Sequence, residues 1–394
     1  MKLTKEVWAF IVFNNVMATI FSYTSIFVNL FIWGNGHNLE GVTVYNLISY
    51  IALFLSYMIG SRYLHTYSGK FVMTLSAVFT VATFVLLFYD NTQNQGLMIP
   101  GVATMSGMTS GLFWAGNNSA LYFFLKPEDY TNYYSMNTMI SQTVTILVPL
   151  LSSAIVYLVS YRYSFLFMLM LVVVAFVFAR KLPDYAATEP LFRDFRIKTV
   201  FTKPGTKWLV PITLSSGTYA QFQNFFSMIY IFSISNNVVF VALMNVGFTI
   251  MMLFGLFIYK RTGWNDLYWL MIGIGLLLVS YSVAFTHQTF LVIFLLLLMK
   301  MGNLFFNVSN GKQTYRIQVQ DEPVMRIKIG MWLEVPLVIA RSSVLLIVLI
   351  LFHYHLNPMV VLIPLSTIAI FAIPALQKKA VEKINSHVAT EFTE

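Results

Sequence analysis

Apolar residues run along this chain in stretches of about 20, each ended by Gly, Pro, Asn or a charged cluster. A helix of about 20 residues crosses the hydrocarbon core of a bilayer, so each stretch is read as a span and its terminator as a turn. The pattern predicts twelve spans, near residues 8–33, 43–62, 71–90, 96–125, 130–158, 164–182, 208–233, 237–259, 264–285, 288–311, 327–353 and 358–377. The expected fold class is an all-α polytopic membrane protein. The longest polar segment, 183–207, carries three prolines and both signs of charge. It divides the chain into a six-helix bundle (1–182), a linker, a second six-helix bundle (208–377) and a tail (378–394).

Composition agrees with this pattern. A hydrophobic share of 58% against 10% charged residues, with a mean hydropathy of +0.73, lies far outside the range of soluble domains. The first run, from Trp8 to about Trp33, is too long for a signal-peptide core and lacks a small-residue cleavage site, so it is expected to remain as the first span. Cysteine is absent and the six histidines lack metal-ligand spacing, which leaves neither a disulfide framework nor a metal site. No nucleotide-binding loop of the Gly-x-x-x-x-Gly-Lys-Ser/Thr kind is present, and no nucleophile, base and orienting group can be placed together. An enzyme is not expected, nor is a cofactor.

Charge supplies the orientation. The net charge of +9 could suggest a nucleic-acid partner, but the basic residues sit in short loops between spans. With the N-terminus inside, only Arg162 of the 24 Lys and Arg residues falls in an outside loop; Lys300 and Arg341 lie within spans, and the others are all inside. This is the one-sidedness of the positive-inside rule. Both termini are therefore expected in the cytoplasm, and an odd number of spans would scramble the pattern. The basic residues of the linker either anchor topology in solvent or meet the head groups of anionic membrane lipids.

The loop after the second span holds Arg62, Leu64, Thr66, Gly69 and Lys70, and that after the eighth holds Lys260, Arg261 and Gly263, with Gly at the same offset in each half. Two six-span halves joined by a basic loop, with such turns, resemble the major facilitator superfamily over essentially the whole chain. Its loop signature is Gly-x-Leu-x-Asp-Arg-x-Gly-Arg. Leu64, Gly69 and Lys70 fit the first copy and Arg261 and Gly263 the second, while Thr66 and Lys260 stand where the acid would be. The run from Gly111 through Trp114 to Asn117 and Asn118, and the pair Glu334 and Arg341 seven residues apart, are similar to a little-characterised bacterial branch. In the fifth span Pro149, Ser152 and Ser153 keep part of the antiporter pattern, whose first two glycines are missing. The resemblance implies two six-helix bundles around a central cavity, alternating access, and a monomer in a bacterial inner membrane.

Charges inside the membrane are the sharpest candidate chemistry, since each costs roughly 2.5 to 3.5 kcal/mol at the bilayer centre on insertion scales. Glu334 is the one carboxylate placed deep in a span, and seven residues at 100° each put Arg341 on its face of the helix, about 10 Å along the axis. Lys300, Asn303, Asn307 and Asn310 form one stripe on the tenth span. The stripe reads as a cavity lining or as packing contacts between helices. Burial and a nearby cation act in opposite senses on a carboxyl group, so Glu334 is read as a proton-coupling residue, with a static ion pair to Lys300 or Arg341 and direct substrate contact as alternatives. Two cations against one carboxylate would suit an anionic or zwitterionic solute. In the N-terminal half and the seventh span, Asn14, Asn15, Trp114, Asn117, Asn118, Gln142, Tyr219 and Gln223 are the candidate substrate contacts.

The expected function is secondary active transport of a small organic solute, with proton-coupled efflux as one form and the direction open. The alternative is a non-transporting membrane protein on the same fold, either a lipid scramblase or a partner-binding receptor.

Overall fold

With no water in the hydrocarbon core, each backbone N–H and C=O must find its partner within the chain, and the helix is the local solution. The computed structural model describes residues 4–34, 39–89, 95–123, 127–187, 189–235, 237–286, 288–318 and 323–391. Among these residues no strand occurs, and the chain forms twelve long helical segments. They are α1 Lys5–Gly34, α2 Leu39–Thr66, α3 Gly69–Phe88, α4 Gln95–Phe123, α5 Pro127–Leu158, α6 Tyr161–Arg180, α7 Leu209–Ile234, α8 Val238–Thr262, α9 Asp266–Phe285, α10 Thr289–Gln318, α11 Pro323–His353 and α12 Met359–Glu391.

Among the described residues, nine of these are long and apolar enough to cross a membrane by length and composition. Of the remaining three, α4 carries Asn117 and Asn118, α5 Gln142, and α7 Gln221 with Gln223.

Starts and stops follow side-chain chemistry. Thr4, Ser68 and Asn265 each accept a hydrogen bond from a backbone N–H in the first turn of α1, α3 and α9, satisfying donors that a helix start leaves unpaired. Gly263 ends α8 with a φ of 60°, the left-handed conformation favoured just past a helix end. The apolar run ends near Leu376, yet α12 continues unbroken to Glu391, because Gln377, Lys378, Lys379, Ala380 and Lys383 are good helix formers.

Contacts divide the chain into two compact units, residues 1–195 with 236–243, and residues 196–235 with 244–394. In the first, α2 packs on α4, α4 on α3, α3 on α6, and α1 on both α5 and α6. Gly107 and Gly111 share one face of α4, and an added Cβ would lie 2.3 Å from the Ser49 carbonyl oxygen and 2.2 Å from that of Leu53. The α2 and α4 backbones touch there, which is how membrane helices associate without a hydrophobic drive between them. In the second unit α9 packs on α10, and α7 on α11 and α12.

Candidate functional site

The second unit gathers most of the polar candidates. Tyr219 on α7 is buried, donates its hydroxyl proton to Asn303 Oδ1 on α10, and packs its ring on Phe306. Asn307, exposed one turn along, donates to the same oxygen at 3.4 Å. Four residues beyond Tyr219 on the same helix face, Gln223 Nε2 donates to the Tyr281 hydroxyl at 2.7 Å, and that hydroxyl lies 2.9 Å from Ser366 Oγ on α12. Gln223 Oε1 and Gln221 Oε1 are buried and have no partner among the described residues. Two unsatisfied acceptors on one membrane helix are costly unless something else supplies a donor. Farther along α10, Asn310 Oδ1 accepts from Gln377 Nε2 at 2.6 Å, and the same amide reaches Thr314 Oγ1 at 3.4 Å.

The intramembrane charges do not form the ion pair that the sequence left open. Among the described residues, Glu334 makes no salt bridge within 4.0 Å, and the charge acting on it is that of Arg341, two turns along α11. Lys300 instead places its ammonium 4.9 Å from the centre of the Phe248 ring on α8, a cation–π contact. All three are half-buried. Pro336, inside α11, follows Glu334 by two residues; it has no N–H to give to the carbonyl one turn back, so the ladder is open beside the carboxylate.

In the first unit Asn14 and Asn15 are both buried on α1. Asn15 Nδ2 donates to the Ile11 carbonyl at 2.8 Å and to Asn137 Oδ1 on α5 at 3.0 Å, while its Oδ1 has no partner among the described residues. Asn117 is buried, its Oδ1 without a partner among the described residues, Asn118 is half-buried, and Trp114 is exposed, its ring edge-on to Phe113. Gln142 lies on α5, but its side chain is outside the described residues.

The two glycine turns are held by different means. At the first, residues just after α6 dock across the start of α3. Gly69 N–H donates to the Tyr185 carbonyl at 2.7 Å, Ala187 N–H to that of Leu64 at 3.0 Å, and Ser68 Oγ to Asp184 Oδ1 at 3.2 Å. The Tyr185 side chain enters the unit, where its hydroxyl donates to the Gly116 carbonyl at 2.9 Å. Burial pushes that hydroxyl well above the ordinary tyrosine range, so it stays a donor. Lys70, next to Gly69 in the chain, is half-buried. At the second turn Gly263 is exposed and Arg261 lies over the Phe257 ring at 5.8 Å. There Asp266 accepts from the Tyr259 hydroxyl at 2.8 Å and pairs with Lys312 of α10 at 3.0 Å.

The sequence profile of the Major Facilitator Superfamily matches residues 8–316, more than three quarters of the chain. This chain belongs to that superfamily. No curated protein matches its sequence. Among solved structures, the fold is similar to that of the POT family transporter PepTSo, at a TM-score of 0.73 and 11% identity over 97% of this chain and 99% of that one. It is also similar to a D-xylose-proton symporter, at 0.67 and 10% over 94% and 97%, and to the nucleoside transporter NupG, at 0.65 and 14% over 94% and 100%. At such identities the likeness is one of fold.

Both loop turns are held by neighbours: the residues just after α6 at Gly69, and Asp266 with Lys312 near Gly263. Sequence reasoning did not single out Tyr185, Tyr281, Ser366 or Gln377. The signals were one of four aromatics in a polar segment and single hydrogen-bonding side chains within apolar runs.

Proposed function

We propose that the chain is a secondary active transporter of a small organic solute, working by alternating access, with Glu334 as the group that takes up and releases a proton. The observation that carries this reading is a carboxylate on a membrane helix with no ion pair within 4.0 Å among the described residues. A static structural pair would need its cation at contact distance to offset the cost of desolvating both charges. Arg341 is instead two turns away and Lys300 rests on Phe248. The opening that Pro336 leaves in the helix beside Glu334 supports a polar, hydrated turn there. With two cations to one carboxylate, the second unit favours an anionic or zwitterionic solute. Tyr219, Asn303, Asn307 and the free acceptor of Gln223 offer it hydrogen bonds. That the fold is shared with a D-xylose-proton symporter accords with proton coupling to a small polar solute.

The test is Glu334→Gln in proteoliposomes, with Glu334→Asp alongside. Accumulation driven by a pH gradient should vanish in the Gln variant while exchange of labelled for unlabelled solute continues, and Asp should retain part of the accumulation. Gradient-driven accumulation that survives in the Gln variant sinks the proton role.

A further inference from the structure

At one end of the second unit a concave basic site is built from two segments far apart in sequence. A cleft of about 460 Å³ is lined by Thr202, Lys203 and Lys207 from the chain entering α7 and by Lys383 and Ser386 from α12, with Trp208 in its wall. Its two sides are held together by backbone. Gly205, with a φ of 83°, takes the left-handed turn that starts the Thr206–Trp208 helical turn, and an added Cβ there would meet the Ala380 carbonyl oxygen at 2.7 Å. Only a glycine lets that turn lie against α12. A second tie is Lys379, whose ammonium lies 5.5 Å from the centre of the Trp208 ring. The lysines are therefore brought together by packing.

Like charges gathered in a concavity repel one another and raise the local potential, so the arrangement calls for an anion. The acidic residue nearest in sequence to Lys383 is Glu382, which lies 3.9 Å from Lys378 in an exposed pair one turn along α12. Trp208 directly precedes α7, and the apolar run of α12 ends near Leu376, about two turns before Lys383, so the cleft lies where both helices leave their apolar sequence, and Trp is a residue type that settles at a membrane boundary. A free anion would need only the charges. A ligand with a phosphate at the surface and acyl chains below also uses the aromatic wall and the adjoining apolar helices.

We propose that this cleft binds the phosphodiester head group of an anionic phospholipid, held by Lys203, Lys207 and Lys383 with Thr202 and Ser386 at its edge. Lipid binding there ties the chain entering α7 to the extension of α12 in an anionic membrane. The site is separate from the polar groups around Glu334, and its test does not depend on transport.

The test uses the full chain in detergent, titrated with phosphatidylglycerol or phosphatidylcholine and read by native mass spectrometry. The unmodified chain should retain phosphatidylglycerol in preference to phosphatidylcholine. Each lysine near an anionic surface contributes about fivefold, so Lys203→Ala, Lys207→Ala and Lys383→Ala together should weaken that retention on the order of a hundredfold. The same three positions changed to Arg should keep it, which separates loss of charge from loss of fold. Lys5→Ala, Lys181→Ala and Lys260→Ala together, an equal change of charge elsewhere, should leave it intact. Equal weakening in the two alanine sets, or no preference in the unmodified chain, overturns the site. Displacement of the lipid by inorganic phosphate or an acidic peptide at a matching concentration overturns the lipid assignment.

Discussion

The Tyr185 hydroxyl donates to the carbonyl oxygen of Gly116, so a residue just past the sixth helix is anchored inside the bundle at the fourth. The ring fills the space above Gly69, where an added Cβ would lie 1.9 Å from it. Tyr185→Phe loses one hydrogen bond and should cost about 1 kcal/mol. Tyr185→Ala empties a large buried site and should cost about 3 to 5 kcal/mol. Gly69→Ala should fall between them, through overpacking of about 1 to 3 kcal/mol. Thermal unfolding of the three purified variants gives the order. Equal effects of Phe and Ala would show that the ring does not hold the segment in place.

Two glycines on one helix make opposite demands. A Cβ at Gly273 of α9 would come within 2.8 Å of the Phe306 backbone nitrogen on α10, while a Cβ at Gly275 would meet nothing within 4 Å. Alanine is the better helix former by about 1 kcal/mol. Gly275→Ala should therefore be neutral or stabilising. Gly273→Ala should lower the unfolding temperature and force α9 and α10 apart. A matching rise in both would mean that propensity, and not the close approach of the two backbones, decides their behaviour.

The spans and the placing of Glu334, Lys300 and Arg341 on two of them were legible in the sequence, because a helix in lipid must be apolar for about 20 residues and a charge within one stands out. Which side chains meet was less legible. Tyr281 and Ser366 are 85 residues apart, and nothing local marks them as partners. A lone hydroxyl in an apolar helix usually turns back on its own backbone, as Thr19 does on the Asn15 carbonyl. The alternative of a static pair at Glu334 was open for a related reason: a charge count gives the partners available but not the rotation of each helix. Tyr185 was hidden in a segment whose charges and prolines mark it as solvated, and only the fit of its ring above a glycine distinguishes it.

Tyr281 is the centre of a three-residue chain, accepting from Gln223 and bonded to Ser366. Removing its hydroxyl leaves two buried groups unpaired, whereas removing that of Ser366 leaves one. Since a buried unpaired polar group costs about 1 to 3 kcal/mol, Tyr281→Phe should destabilise more than Ser366→Ala. The double variant should cost less than the sum of the two, because both remove the same bond. Unfolding midpoints of the set measure this. Additive effects would mean that the chain does not act as a unit.

Lys300 presents the sharpest conflict between stability and use. Its ammonium is half-buried on a membrane helix, satisfied by the face of Phe248 and by no salt bridge among the described residues. A cation at mid-membrane costs roughly 2.5 to 3.5 kcal/mol, and a partly desolvated cation–π contact returns about 1 to 2 kcal/mol. The balance remains unfavourable, so the charge persists at a cost to the fold. Lys300→Met, which keeps the length and removes the charge, should raise the unfolding temperature and weaken transport of an anionic or zwitterionic solute. Phe248→Leu should lower the unfolding temperature in the unmodified chain and have little effect once Lys300 is Met. A Lys300→Met protein that is less stable and transports normally would make the residue a structural element and remove it from the site.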